Sequence, residues 1–294
     1  MYNVYNVKSE ENILLMRIIT SKEISNAVKD LIINSSVSLP EDTFKSLEHA
    51  FKKEISESGK TVLSQLLLNA EVARLENKPL CQDTGLAVFF VEIGMDVAVK
   101  DRNLTDSINE GTRLGYAEGF LRKSTCDPLT RKNIGDNTPA IIHYEFTGGD
   151  KLKIMYAAKG GGSENMSKIK MMRPSDGKDG IIDFVVSAMQ AAGPNPCPPN
   201  IIGVGIGGNF ERSAILAKKS LFRKLGEKND DKELDEMEKI MLEKINNIGT
   251  GPMGFGGICT ALGVHIIKEP CHIASLPVAV NIECHSHRHA EITI

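Results

Sequence analysis

Apolar residues recur at three- and four-residue spacing through the first third of the 294-residue chain. This predicts helices over 21–34 and 41–56, and a third over 61–75 carrying Val62, Leu63, Leu66, Leu67, Leu68, Val72 and Leu75. Ser21 with Glu23, and Pro40, read as helix starts. Asn77-Lys78-Pro79 ends the third helix, because the residue before a proline is pushed out of the helical region. The unbroken apolar run Leu86–Val91 then predicts a buried strand over 86–93, and 105–121 returns to the helical period. From Pro139 the texture changes. Segments 140–146 and 151–157 read as strands joined in a hairpin at Gly148-Gly149-Asp150. Helices over 181–192, 211–225 and 228–246 alternate with strands at 200–206, 264–267 and 278–282. The helix over 228–246 is apolar at Met237, Ile240, Met241 and Ile245, and its many charges read as a solvated face. The order fits a mixed α+β fold in which a mainly helical N-terminal part, residues 1–130, packs on a mixed α/β part, residues 131–294.

Composition narrows the function classes. Hydrophobic residues make up 41% and charged residues 25% of the chain, with a formal net charge of -3. That is enough apolar material for a sizeable core, and nothing in the charge favours nucleic acid. No apolar run is long enough to span a bilayer. The N-terminal stretch carries Glu10 and Glu11 and lacks a basic segment followed by a long apolar one, so no secretory leader is expected. The six cysteines, Cys81, Cys126, Cys197, Cys259, Cys271 and Cys284, are scattered without a C-x-x-C pair. Such spacing suits a cytoplasmic chain whose thiols stay reduced and act as small hydrophobes, nucleophiles or metal ligands.

Three phrases mix residue types that core packing does not call for. Leu80-Cys81-Gln82-Asp83-Thr84-Gly85 sets a thiol beside an amide, a carboxylate and a hydroxyl, and closes on a glycine that lets the backbone turn. Pro196-Cys197-Pro198-Pro199 brackets a thiol with residues that fix the backbone and remove N–H donors. Glu283-Cys284-His285-Ser286-His287-Arg288-His289, if extended, puts Cys284, Ser286 and Arg288 on one face and the three histidines on the other, where they would form a short surface cluster. Three glycine-rich stretches, Lys159–Asn165, Gly203–Gly208 and Gly249–Gly257, together suggest backbone N–H groups lining a pocket for a carboxylate or phosphate. The second fits G-x-G-x-x-G, but it lies two-thirds along the chain, behind the proline bracket, which argues against dinucleotide binding. Zinc held by the C-terminal histidines is an alternative use of that cluster.

The phrases CQDTG, KGGGSEN, NPCPP and ECHSHR, in this order, resemble the class I iron–sulfur hydro-lyases, and in particular the α subunits of two-subunit fumarate hydratases and L(+)-tartrate dehydratases. The resemblance runs from about residue 20 to the end. It implies that Cys81, Cys197 and Cys284 hold a 4Fe-4S cluster with one iron open to substrate, and that Cys126, Cys259 and Cys271 are bystanders. It further implies that Asp83 and His272 are acid/base candidates. Gln82, Asp83, Arg122 and the N–H of Gly161 would bind the substrate's carboxylates. The reaction implied is hydration of fumarate to L-malate; the KGGGSEN loop looks more like the fumarase side than the tartrate side. Single-chain members carry a further domain that completes the site, whereas this chain stops at Ile294. A separate β subunit is therefore implied, in a hetero-oligomer such as α2β2. Readings from another class, an iron–sulfur electron carrier or redox sensor, meet the objection of three thiols rather than four and of the carboxylate beside Cys81.

Overall fold

The computed structural model describes residues 16–294, so the expected absence of a leader concerns a stretch outside the described residues. Helices and strands are mixed throughout, an α+β architecture. Along the chain the elements run β1 (Arg17–Thr20), α1 (Ser21–Val37), α2 (Glu41–Lys53), α3 (Glu57–Glu76), β2 (Leu86–Gly94), β3 (Val97–Lys100), α4 (Leu104–Glu118), β4 (Ile141–Thr147) and β5 (Leu152–Lys159). There follow α5 (Gly161–Glu164), β6 (Lys168–Met172), α6 (Gly177–Ala192), β7 (Asn200–Gly208), α7 (Phe210–Ser220), α8 (Lys232–Asn246), β8 (Ala261–Cys271), β9 (Leu276–Glu283) and β10 (His289–Thr293). Two compact units form, and they are not consecutive halves. One gathers residues 16–34 with Ala87–Tyr156 and Ala290–Ile294; the other holds Ser35–Leu86 and Ala157–His289. Residue 130 falls inside the first.

In the first unit, α1 lies against α4 where two glycines remove the obstacle. A Cβ on Gly111 would sit 2.6 Å from Val28, and one on Gly115 would sit 2.9 Å from Ile32. The sheet order is β10-β5-β2-β4, so the hairpin expected between β4 and β5 does not form. Ala87–Val91 are all buried, and a strand apolar on both faces belongs inside a sheet. β2 therefore takes the place between them, parallel to β4, and the glycine turn passes over its end. A Cβ on Gly94 would stand only 2.2 Å from the Gly149 carbonyl, which is why the end of β2 is a glycine.

The second unit is built on the sheet β6-β9-β7-β8, with β7 parallel to β8 and antiparallel to β9. Ile202 and Val204 of β7 join a core formed with α6 and α8. The intervening Gly203 and Gly205 face α7, whose backbone would lie 2.0 Å from a Cβ at either position. The G-x-G spacing thus serves close helix-on-strand packing, and this stretch is strand, not an anion-binding loop. α8 begins at Lys232, with Asp231 accepting from the Glu233 and Leu234 N–H groups, rather than at Lys228. One of its charges is not solvated: Glu238 is buried and accepts from Arg223, Asn229 and the Ile266 N–H.

Candidate functional site

The Cys81 phrase is delivered by the end of α3, where Asn77 takes the left-handed conformation and ends the helix. Leu80 is buried, donates its N–H to the Ser36 carbonyl and accepts from Asn69 at 3.0 Å. With Leu80 fixed, Cys81 is half-buried, Gln82 exposed and Asp83 half-buried. Both Asp83 oxygens are engaged: Oδ1 accepts the Gly85 N–H at 3.0 Å, and Oδ2 accepts the Gly161 N–H at 2.9 Å. Gly85 has φ +75°, and a Cβ there would lie 2.8 Å from the Lys159 backbone. Only glycine allows the phrase to pass so close to the start of KGGGSEN.

Cys197 follows α6 through Gly193 and donates its N–H to the Pro194 carbonyl. It has φ +54°, a conformation that costs an L-residue roughly 1–2 kcal/mol and needs support from its surroundings. Part of that support comes from the Cys284 segment. The Cys197 carbonyl accepts the His285 N–H at 3.3 Å and the His285 ring Nδ1–H at 3.0 Å. The Asn200 amide donates to both the Pro196 and Glu283 carbonyls. Cys284 itself donates its N–H to the Glu283 carboxylate. Residues 284–288 form a bend, not the extended strand whose period would have separated thiol and histidine faces. The histidines are accordingly not a surface cluster: His287 is buried and donates Nε2–H to the Leu221 carbonyl at 2.9 Å.

The electrostatics around these thiols are unusual for an interior. Lys159, Glu283 and Arg288 are each at most 3% exposed. Lys159 Nζ donates to Ser163 at 3.0 Å and to the Ile282 carbonyl, and lies 3.1 Å from the Glu283 carboxylate. Burial first, then the neighbouring Cys81 and Asp83, push the Cys197 thiol up, so Cys81, Cys197 and Asp83 share one environment. Burial also pushes the Cys284 thiol up, with Glu283 in the same direction and the Arg288 and Lys159 cations opposing them. Among the described residues no three His, Cys, Asp or Glu side chains are grouped to hold a single metal ion. Ligands of a multi-iron cluster need not converge in that way, since each binds a different iron.

Other candidates lie elsewhere. His272 is exposed in the loop between β8 and β9, at the Gly208 end of β7. Cys197 and Cys284 flank the Asn200 end, so the length of β7, about 25 Å at the usual strand rise, separates His272 from them. Arg122 is exposed on the loop after α4 and belongs to the first unit. Cys126 is half-buried in that unit, Cys271 is exposed, and Cys259 is buried. Of the three glycine-rich stretches, Lys159–Asn165 meets the Cys81 segment through the Gly161 N–H, which Asp83 accepts. The stretch Gly249–Gly257 ends at N–H groups that do hold a carboxylate, but it is the chain's own Glu54. Sequence reasoning missed Glu54 and Glu283, because a lone glutamate at a helix or strand end carries no signal for partners far away in the chain.

Residues 25–293 match the family model described as fumarate hydratase (Fumerase). A Methanocaldococcus jannaschii protein provisionally named L(+)-tartrate dehydratase subunit alpha is 43% identical over 91% of this chain and 96% of its own length. An Escherichia coli protein named L(+)-tartrate dehydratase subunit alpha is 30% identical over 88% of both chains. No helix among the described residues is long and apolar enough to cross a membrane. The chain, with its thiol-bearing segments brought together in one unit, belongs to the fumarate hydratase family of hydro-lyases.

Proposed function

We propose that the chain is the α subunit of a cytoplasmic iron–sulfur hydro-lyase that interconverts fumarate and L-malate, with Cys81, Cys197 and Cys284 holding a 4Fe-4S cluster. The observation that carries this reading is the meeting of the Cys81, Lys159 and Cys197–Cys284 segments, with Asp83 at their junction. The donor set fits the group. The Cys197 and Cys284 thiols, both pushed up by burial, call for a strong positive partner to become thiolates, and the buried Lys159 and Arg288 offset the charge that remains. When bound, the cluster supplies a Lewis acid at its open iron for the substrate's hydroxyl and carboxylate oxygens.

The chain's own residues then do the following. The exposed Gln82 amide and the Gly161 N–H bind one substrate carboxylate. A carboxylate at Gly161 competes with Asp83 Oδ2 for that N–H, while Gly85 keeps Oδ1 in place. Oδ2 so released accepts the C3 proton in dehydration and returns it in hydration. A catalytic role for His272 requires a second chain, because its own thiols lie at the other end of β7. The names of the relatives, both subunit alpha, support a separate β subunit that completes the site in an αβ assembly such as α2β2.

The same names favour a second reading at least as well: L(+)-tartrate dehydration, which yields water and the enol of oxaloacetate. Anaerobic co-expression with the β-type partner, followed by assay on fumarate, L-malate and both tartrates, decides between them. Turnover of fumarate and L-malate, with about four irons per αβ unit and loss of activity in air, is the expected result. Turnover of L(+)-tartrate alone selects the second reading. Zinc as the sole metal in anaerobic protein rejects both.

A further inference from the structure

The third glycine-rich stretch has an anion of its own. Glu54, the residue that ends α2, is 1% exposed, and its carboxylate accepts from four backbone N–H groups. Oε1 takes the N–H groups of Ile55 at 2.8 Å, Ser56 at 3.0 Å and Ile258 at 3.1 Å; Oε2 takes those of Ile258 at 3.1 Å and Cys259 at 3.0 Å. Burial alone would raise this carboxyl, and the N–H groups outweigh it and hold it below the usual value. Two glycines make room for it. A Cβ on Gly257 would lie 2.5 Å from Oε1, and one on Gly59 would lie 2.9 Å from Glu54 Cγ. Glu54 also pushes the neighbouring Cys259 thiol up, after burial, to about 12, so that thiol stays protonated.

The loop that Glu54 closes rests on the Cys197 segment. Met253, itself at φ +50°, donates its N–H to the Pro198 carbonyl at 2.8 Å. A Cβ on Gly254 would lie 2.5 Å from the Pro194 ring, so loop and bracket are in van der Waals contact. The loop ends at Thr260, whose carbonyl accepts the Asn200 N–H at 2.9 Å. Pro194, Pro198 and Asn200 thus hold Cys197 from both sides in its left-handed conformation, and all three lean on the loop.

We infer that Glu54 is a positioning residue for Cys197: it fixes the 249–260 loop, which in turn sets the direction of the thiol. This rests on the reading of Cys197 as a cluster ligand. The bonds from these four N–H groups to one carboxylate are of the strong, charge-assisted kind, and a glutamine can accept with only one of its two atoms. The loop therefore loosens when the charge is removed, without a change of size.

The test compares the unchanged αβ complex with Glu54→Gln and with Met241→Ala, a core truncation in α8 that lowers stability away from the loop. The first readout, after iron is stripped with a chelator, is iodoacetamide alkylation of Cys197 relative to Cys81 and Cys284, followed by mass spectrometry. The second is the paramagnetic resonance spectrum of the reloaded cluster after one-electron reduction with dithionite. Glu54→Gln should speed alkylation of Cys197 about ten-fold while Cys81 and Cys284 hold their rates, and should broaden the spectrum. Met241→Ala should change neither. Unchanged Cys197 labelling in Glu54→Gln overturns the inference, as does an equal change at all three thiols or the same pattern in Met241→Ala. If Glu54→Gln does not fold, Glu54→Asp, one methylene shorter, is read by the same labelling ratio. Failure of the unchanged protein to take up a cluster would refute the proposed function, yet the alkylation ratio would still decide whether Glu54 holds Cys197.

Discussion

At the Asn200 end of β7, segments from distant parts of the chain are bound to one another. At the Gly208 end, the chain passes from β8 to β9 through a loop whose Cys271, His272, Ile273 and Ala274 are all exposed. The first end carries a left-handed cysteine, a buried lysine, a buried arginine and a buried glutamate. The second carries a thiol and an imidazole that, among the described residues, bond within their own turn, Cys271 to the Ser275 carbonyl and His272 to the Ala274 N–H. Both ends present cysteine beside histidine, so residue type does not separate them. What separates them is how far the backbone is determined by contacts of long sequence range. A group that must hold a fixed direction needs that determination, and one that meets a partner chain does not.

The widest predicted contrast sets a cysteine from each end side by side. In the αβ complex, Cys197→Ser and Cys284→Ser should bring iron content and turnover below detection, since a hydroxyl is a poor ligand for iron–sulfur clusters. Cys271→Ser should leave both within about two-fold, as expected of an exposed site away from a constrained feature. Iron and sulfide analysis with steady-state assay measures the contrast. Loss of iron in Cys271→Ser would break the distinction between the ends.

Next in size is Asp83→Asn. It keeps the shape and an acceptor for Gly85 or Gly161 but removes the base, so turnover should fall by about 10²–10⁴ with iron content unchanged. An unaltered rate with an intact cluster would remove Asp83 from the chemistry.

How much of this could be read from the sequence depends on the range of the interactions. The helices α1, α2 and α3 and the strand β2 are set by local period and were legible to within a few residues, although Ser56, which caps α3, falls inside the span expected for α2. Cys81, Cys197 and Cys284 could be singled out as candidates because their flanking glycine, prolines and histidine are adjacent in sequence. Other features depend on residues far away and were not. Gly148-Gly149-Asp150 is a good turn signal, but a third strand occupied the space between β4 and β5. Gly203 and Gly205 look like a phosphate loop until α7 is seen lying on them. Glu54 binds N–H groups 204 and 205 residues further on, a separation no local pattern encodes.

The middle of β7 offers a prediction about stability rather than chemistry. Gly205→Ala places a Cβ 2.0 Å from the Ser213 carbonyl, so α7 must move off the strand. The cost should be about 3 kcal/mol, read as a lower urea midpoint with the slope unchanged. A wild-type midpoint would mean that α7 is not seated on β7 as described.

The smallest expected effect follows from His265, which lies on β8 opposite Gly203, near the thiol end, and is 2% exposed. Burial first, then the Arg223 cation, lower its pKa to about 4, against 6.5 for an ordinary histidine. In the folded chain the ring stays neutral down to about pH 4, whereas in the unfolded chain it takes a proton below about 6.5. Because the unfolded state binds more protons in that window, stability is complete above it and declines as pH falls through it. Between pH 7 and pH 5 the decline from this group should be roughly 2 kcal/mol. His287 is lowered in the same direction, also by burial, and adds to it. Urea denaturation at the two pH values should show the loss, and His265→Asn should reduce the difference between them while lowering stability at pH 7. If His265→Asn left the pH dependence unaltered, the acid sensitivity would have to come from another group.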